Sequence, residues 1–196
     1  MWPWEHLSIG YLLHSATMRT VYRRPPNGLG ALAVAVGTQF PDLIDKPGGW
    51  VLGVLPSGTS VAHSAFVALP LSLAAVAVAR RRGAPEVGVA FAIGYLSHLA
   101  GDVFFYVLLG DGPAFGVVLW PLGSEPNGGT SPVLALVSRL FSRWVEHLAS
   151  PAGVGYVLFE VALLAVTVAV WVRDGAPGSD AVFRIRTLWD ERSDRN

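Results

Sequence analysis

Apolar residues in this chain form long runs instead of short alternating stretches. The clearest runs cover residues 61–79, 87–109 and 154–172. Nineteen residues at a helical rise of about 1.5 Å reach about 28 Å, close to the roughly 30 Å thickness of a bilayer's hydrocarbon core. Two less apolar runs, 5–22 and 28–44, come before them. The pattern therefore predicts an all-α, polytopic helical membrane protein with about five membrane-embedded helices.

Residues 132–150, between the fourth and fifth runs, place apolar and polar side chains on opposite sides of a helix. We expect this segment to lie as an amphipathic helix at the membrane interface. A Gly- and Pro-rich loop precedes it. After Arg173 the chain becomes polar, so we predict a membrane-embedded domain over 1–173 and a polar tail over 174–196. The apolar side of the amphipathic helix is formed by Val133, Leu136, Val137, Leu140, Phe141, Trp144 and Leu148.

The composition agrees with a membrane protein. Hydrophobic residues make up 52% of the 196 residues and charged residues 14%, with a mean hydropathy of +0.47, whereas soluble domains carry about 25% charged residues. A net charge of zero gives no sign of a nucleic-acid partner. The absence of cysteine excludes disulfides and thiolate metal sites. The N-terminus lacks the basic start and cleavage site of a signal peptide, so we read it as a retained helix.

Basic residues indicate how the helices cross the membrane. Eleven arginines fall in alternate connections or after the last run, and only Lys46, Arg139 and Arg143 fall on the other side. The positive-inside rule then predicts a multi-pass protein of the inner (cytoplasmic) membrane, with its N-terminus outside and its C-terminus in the cytoplasm. A re-entrant first helix stays as an alternative. The eleven arginines are Arg19, Arg23, Arg24, Arg80, Arg81, Arg82, Arg173, Arg184, Arg186, Arg192 and Arg195.

Threading the five runs in alternating directions places most of the histidines and acids of the apolar segments at one depth, towards the outer leaflet. A charge at the bilayer centre costs roughly 2.5–3.5 kcal/mol on insertion scales, so such residues usually pair or face a polar cavity. Spacings of three residues in one run and four in another put pairs of them on one helix face. Imidazole and carboxylate are ligands of zinc and of related ions. The residues at this depth are His6, Asp42, Asp45, His63, His98, Asp102 and Glu160.

Each of these residues also has a structural interpretation. Asp42 alone is typical of a helix end or turn, and Glu160 of a neutral acid hydrogen-bonded between helices. His14, one further turn inward, is equally well explained by a hydrogen bond to a carbonyl. The coincidence in depth of Asp42, His63, His98 and Asp102 favours a shared metal site for that set.

Five short motifs in this order resemble a known family. They are HLSIGYLL with His6, PDLID with Asp42 and Asp45, AHSAF with His63 and Ser64, SHLAGD with His98 and Asp102, and Trp-Pro-Leu at 120–122. Over about residues 5–122 the chain is similar to the predicted membrane-bound metal-dependent hydrolases of bacteria and archaea, which include the LexA-regulated inner-membrane hydrolase group. TSVAHS stands here where that family usually has an Arg-Gly-x-Thr lead into the His-Ser pair.

The resemblance implies a multi-helix membrane protein with a metal site and hydrolytic activity. We expect His6, Asp42, His63, His98 and Asp102 to be ligands, with zinc as the first choice and manganese, iron or magnesium as alternatives. The ligand candidates outnumber those that one zinc ion needs, so a two-metal site stays open.

Asp45 would be the base that takes a proton from water, a further ligand or a partner of a ligand. A site at this depth favours an amphiphilic substrate, such as a phosphoester or another ester of a lipid. Two other classes remain. The same residues would form the transit site of a small metal-ion or proton transporter. They would also form the metal site of a structural membrane protein. The sequence does not indicate an oligomeric state.

Overall fold

The computed structural model describes residues 1–108, 113–123, 138, 141–142, 145–146 and 150–179. All regular structure in these residues is helical. The long helices are α1 (Pro3–Thr20), α2 (Gly28–Lys46), α3 (Ala65–Arg81), α4 (Pro85–Leu108) and α5 (Pro151–Arg173). A π-helical turn, Pro47–Val51, extends α2, and a 3-10 turn, Phe115–Val118, follows α4. The predicted amphipathic helix lies almost wholly outside the described residues, as does most of the polar tail.

Polar side chains start three of the helices as local chemistry predicts. The Asn27 side chain accepts a hydrogen bond from Gly30 N (2.7 Å), Ser64 Oγ accepts one from Phe66 N (3.2 Å), and Ser150 Oγ accepts one from Gly153 N (3.1 Å). These bonds satisfy amide groups that the first turn of a helix leaves unpaired. Of these three helices, α2 begins at the predicted residue and α5 begins three residues before it.

The start predicted for the third helix, at residue 61, is wrong. The helix begins at Ala65, because the backbone N–H groups of Ser60, Ala62 and His63 donate to the carboxylate of Asp45 instead of entering a helical ladder. A long-range contact therefore shapes the chain before α3, and it fixes His63 in a turn at the end of the bundle.

Helix α4 lies at the centre and packs against α1, α2 and α3, while α5 packs against α1. The backbones of α2 and α4 touch at two glycines. A Cβ on Gly37 would lie 2.4 Å from the carbonyl oxygen of Phe91, and one on Gly94 would lie 2.5 Å from that of Val34. Small residues that allow close backbone approach are typical of helix packing in membranes. This contact sets the spacing on which the site depends.

Two of the described helices are long and apolar enough to cross a membrane, within Pro85–Phe105 and Gly153–Arg173. The second is almost entirely exposed, with Leu158 and Val166 among its uncovered side chains, as expected for a helix surrounded by lipid. By length and composition, both helices could therefore span a membrane. That α1, α2 and α3 also cross stays a prediction.

The end of the bundle at Thr20, Gly28 and Arg173, here called the far end, holds two buried carboxylates with cationic partners. Glu86 accepts hydrogen bonds from Asn27 and pairs with Arg24 (2.6 Å). Asp174, which follows α5, accepts from Tyr11 and Ser15 and pairs with Arg19.

Burial alone would raise the pKa of Asp174, but hydrogen bonds from Ser15, Tyr11 and Arg19 outweigh it and hold that pKa below its usual value. The far end is therefore closed by ion pairs that link α5 to α1 and the start of α4 to the α1–α2 connection.

Candidate metal centre

Two histidine nitrogens and two carboxylate oxygens face one another at the other end of the bundle, here called the site end. The Nε2 atoms of His63 and His98 lie 3.2 Å apart. Asp42 Oδ1 is 3.4 Å from His63 Nε2 and 3.8 Å from His98 Nε2. Asp102 Oδ2 is 3.5 Å and 3.3 Å from the same two nitrogens. The structure thus brings together four of the predicted ligands, from α2, the turn before α3, and α4.

The other nitrogen of each ring is already engaged. His98 Nδ1 lies 2.6 Å from the carbonyl oxygen of Thr38, and His63 Nδ1 lies 2.8 Å from Asp45 Oδ2. Both partners are acceptors, so each Nδ1 carries a hydrogen and donates it. In the neutral rings each Nε2 atom then carries a lone pair, and the two lone pairs point towards each other. Metal-ligating histidines usually have this arrangement, with the far nitrogen donating to a carboxylate or a carbonyl.

Four electron-pair donors at such distances repel one another unless a cation or protons lie among them. Bonds of about 2.0–2.1 Å to a tetrahedral zinc ion would separate neighbouring ligand atoms by about 3.3–3.4 Å. The measured separations, from 3.2 to 3.8 Å, lie around that value. The four side chains therefore have the chemistry of a divalent-ion site, and the spacings around His63 and His98 suit such an ion.

His6 reaches the same centre from α1. Its Nε2 lies 3.2 Å from Asp102 Oδ1, and its ring stacks on that of His98 with centroids 3.8 Å apart. Gly101 makes room for this ring, since a Cβ there would lie 3.2 Å from His6 Nδ1. Two ligand groups share His98: one with Asp42 and His63, the other with His6 and Asp102. This sharing keeps both a one-ion and a two-ion arrangement open.

Asp45 lies behind His63, on the side away from the four donor atoms. Its carboxylate is fully buried and accepts hydrogen bonds from Ser60 N (2.7 Å), Ala62 N (3.0 Å) and His63 N (3.0 Å), as well as from the His63 ring. These donors occupy both of its oxygens. Of the three roles that the sequence left open for Asp45, the geometry favours the partner that orients a ligand.

Lys46 is a site residue that the sequence analysis did not select. Its Nζ lies 2.5 Å from Asp42 Oδ2 and 5.7 Å from the centre of the Trp50 ring. The four-residue spacing from Asp42 was the available signal. Thr38 was also missed, because it acts through its backbone carbonyl, which no side-chain pattern reveals.

Two of the motifs meet beside the centre. Ser64 Oγ donates a hydrogen bond to the carbonyl oxygen of Trp120 (2.7 Å), which joins the His-Ser pair to the Trp-Pro-Leu element. Tyr95 donates to the carbonyl oxygen of Ala62 (2.6 Å) and so holds the same turn from α4. The turn that carries His63 is therefore fixed from three directions, by Asp45, Tyr95 and the 120–122 segment.

Glu160 and His14 lie apart from these ligand groups. Glu160 accepts hydrogen bonds from Trp4 Nε1 (3.0 Å) and Tyr156 (3.2 Å) at the contact of α1 with α5, as the structural interpretation of that residue expected. His14 is fully buried near the far end, and neither ring nitrogen has a hydrogen-bond partner among the described residues. Its Nε2 lies 3.7 Å from Glu86.

The fold and the site together define a helical membrane protein with a buried histidine–aspartate cluster at one end of its bundle. The chain belongs to the YdjM inner membrane protein family, whose model matches residues 1–176. This match supports the inner-membrane location that the sequence predicted. Comparisons with curated proteins and with solved structures give no match.

Proposed function

We propose that this protein is a membrane-embedded, metal-dependent hydrolase that acts near the outer leaflet on a phosphoester or ester of a lipid-like substrate. One observation carries the proposal: the lone pairs of His63 and His98 converge with the carboxylates of Asp42 and Asp102. Both rings are held in that orientation through their second nitrogen. A purely structural histidine does not need such an arrangement.

Each residue of the site would have its own role in metal binding. His63, His98, Asp42 and Asp102 would hold the ion, for which zinc is the first choice and manganese, iron and magnesium are alternatives. His6 binds the second oxygen of Asp102 and would become a ligand if two ions were held. When bound, a divalent ion polarises a phosphoryl or carbonyl oxygen and makes water a nucleophile near neutral pH.

The placement near the outer leaflet follows from the arginines. Arg19, Arg24 and Arg173 lie at or beside the far end of the bundle, opposite the site. If α1, α2 and α3 cross the membrane as α4 and α5 are able to, the positive-inside rule puts the far end in the cytoplasm. The site would then lie towards the outer leaflet, within reach of an amphiphilic substrate at the membrane surface.

The transport alternative has one supporting observation, the buried His14 in the far half of α1. A relay through the protein would need polar groups there that are ready to exchange partners. Both oxygens of Glu86 are already held, by Asn27 and Arg24, and Asp174 is held by Arg19. The far end thus favours hydrolysis at one side over passage across.

Elemental analysis of the purified, detergent-solubilised protein tests the proposal. We expect about one or two divalent ions per chain, lost in both Asp42→Ala and His98→Ala while helix content stays that of the wild type. His14→Gln is the matched control, because it changes a buried histidine outside the ligand groups and should keep the metal.

Metal-loaded protein would then be screened on lipid phosphoesters and esters. A folded wild type that takes up no metal after refilling would overturn the proposal. Metal that is retained without turnover on the whole panel would instead support a structural metal site.

A further inference from the structure

Lys46 places a positive charge at the edge of a site lined by carboxylates and imidazoles, in which the buried N-terminal ammonium of Met1, 3.2 Å from Asp102 Oδ1, is a second cation. Its Nζ contacts the Asp42 oxygen that points away from the histidines. About a third of the Lys46 side chain is exposed, whereas Asp102, the most exposed of the four metal-ligand candidates, shows 16%. Lys46 is also the only lysine in the chain. The ammonium group is therefore more exposed than any of the four candidate ligands.

The chain beyond Lys46 is apolar and uncovered. Val51, the last residue of the turn that carries Trp50, is about 70% exposed, and so are Leu52 and Val54 after it. Exposed apolar side chains gathered beside a site commonly mark contact with a membrane or partner. On a bundle with an exposed apolar helix in α5, the natural surroundings of this segment are lipid.

Resting on the proposed function, we propose that Lys46 selects a substrate with an anionic phosphate, and that the phosphate belongs to a lipid headgroup. The 51–54 segment would sit among the acyl chains of the outer leaflet, which sets the headgroup at the depth of the Lys46 ammonium. An ammonium group binds phosphate oxygens through charge-assisted hydrogen bonds. Lys46 is then a specificity-determining residue that works beside the ion.

The charge balance supports an anionic ligand over a neutral one. The candidate ligands contribute two carboxylates, and one divalent ion would neutralise both. Asp42 then shares its charge with the ion, so the Lys46 ammonium keeps positive charge with which to attract an anion. A neutral glyceride would leave that charge without a new partner at the mouth of the site.

The single lysine allows a direct test. Zinc-loaded full-length protein in nanodiscs of neutral phosphatidylcholine is treated with an amine-reactive reagent, with added phosphatidic acid, diacylglycerol or inorganic phosphate. Peptide mass spectrometry reads the modification of Lys46. We expect phosphatidic acid to protect Lys46 and diacylglycerol to leave it reactive. If inorganic phosphate alone protected Lys46, the proposal that the phosphate belongs to a lipid headgroup would be overturned.

Affinity for short-chain phosphatidic acid is then compared among Lys46→Met, Lys46→Arg and a control. We expect a loss of about tenfold or more in Lys46→Met, as for one charge-assisted hydrogen bond, and near-retention in Lys46→Arg. Arg80→Met removes an exposed cation at the far end of α3 and should change nothing.

Metal content separates the two proposals. If the wild-type protein binds no metal, the proposed hydrolase function itself is rejected. Wild type and Lys46→Met that both hold metal and bind phosphatidic acid equally well would reject the role of Lys46 and leave the hydrolase standing.

Discussion

Asp45→Asn isolates the contribution of the residue that orients His63. Asparagine keeps the shape of aspartate and one acceptor oxygen, but it removes the negative charge. Asp45 Oδ2 receives the His63 ring and the amides of Ser60, Ala62 and His63, whereas Oδ1 receives only Ala62 N, at 3.0 Å. The amide group would take the Oδ1 position, where its N–H meets the N–H of Ala62.

Two effects follow, and their sizes can be worked out separately. Loss of the carboxylate behind a metal-ligating histidine typically weakens metal binding by 10- to 100-fold, which is about 1.4–2.7 kcal/mol. The second effect is on stability. The remaining hydrogen bonds become weaker, and two buried N–H groups face each other, which together should lower the free energy of unfolding by about 1–3 kcal/mol. Asp42→Asn, in contrast, changes a proposed direct ligand and should lower affinity much further.

The assay is competition for zinc between the purified protein and a colorimetric chelator, at fixed pH and in one detergent. Circular dichroism on the same samples confirms the fold. Asp45→Asn with wild-type zinc affinity and no turnover would refute the reasoning and make Asp45 the catalytic base. Affinity as low as that of Asp42→Asn would make Asp45 a ligand.

Three further predictions concern the packing of the bundle. Gly94→Ala forces α2 away from α4 and should lower the free energy of unfolding by about 1–3 kcal/mol, which a lower apparent melting temperature would show. Gly155→Ala is the control and should be neutral, because there is open space around Gly155. Ser64→Ala removes both the α3 cap and the bond to Trp120 and should cost about 1–2 kcal/mol by the same measurement; an unchanged melting temperature would contradict it. Asp174 has a depressed pKa, so its stabilisation is present above the unfolded-state pKa and is lost as pH falls through the folded-state value. Thermal melts from neutral to acid pH should show that loss in wild type and not in Asp174→Asn.

The sequence predicted which residues would lie close together at the site because spacing and depth are both visible in it. Four residues separate His98 from Asp102, which places them on one helix face, and alternating helix directions brought His63 and Asp42 to the same end. These residues do converge in the structure. The ion itself stays a prediction.

Other features depend on contacts that no local pattern records. The carbonyl of Thr38 reaches His98 only because Gly37 and Gly94 let two backbones touch. The delayed start of α3 depends on Asp45, fifteen or more residues away from the amides it binds. Helices α1 and α2 are less apolar for a physical reason: they carry buried polar side chains such as His14 and Asp45, which lower their mean hydropathy.

The cluster's assembly from distant segments has a consequence for how the protein is made. His6 stands near the beginning of the chain, and Asp102 lies in the fourth helix, so an insertion machine that delivers helices in order completes the ligand set only when α4 arrives. Until then Asp42 and His63 are in place with part of their partners missing. On the proposed function, metal uptake would thus be a late step of biogenesis. Since α5 packs against α1 and supplies none of the ligand groups found in the described residues, uptake need not wait for α5.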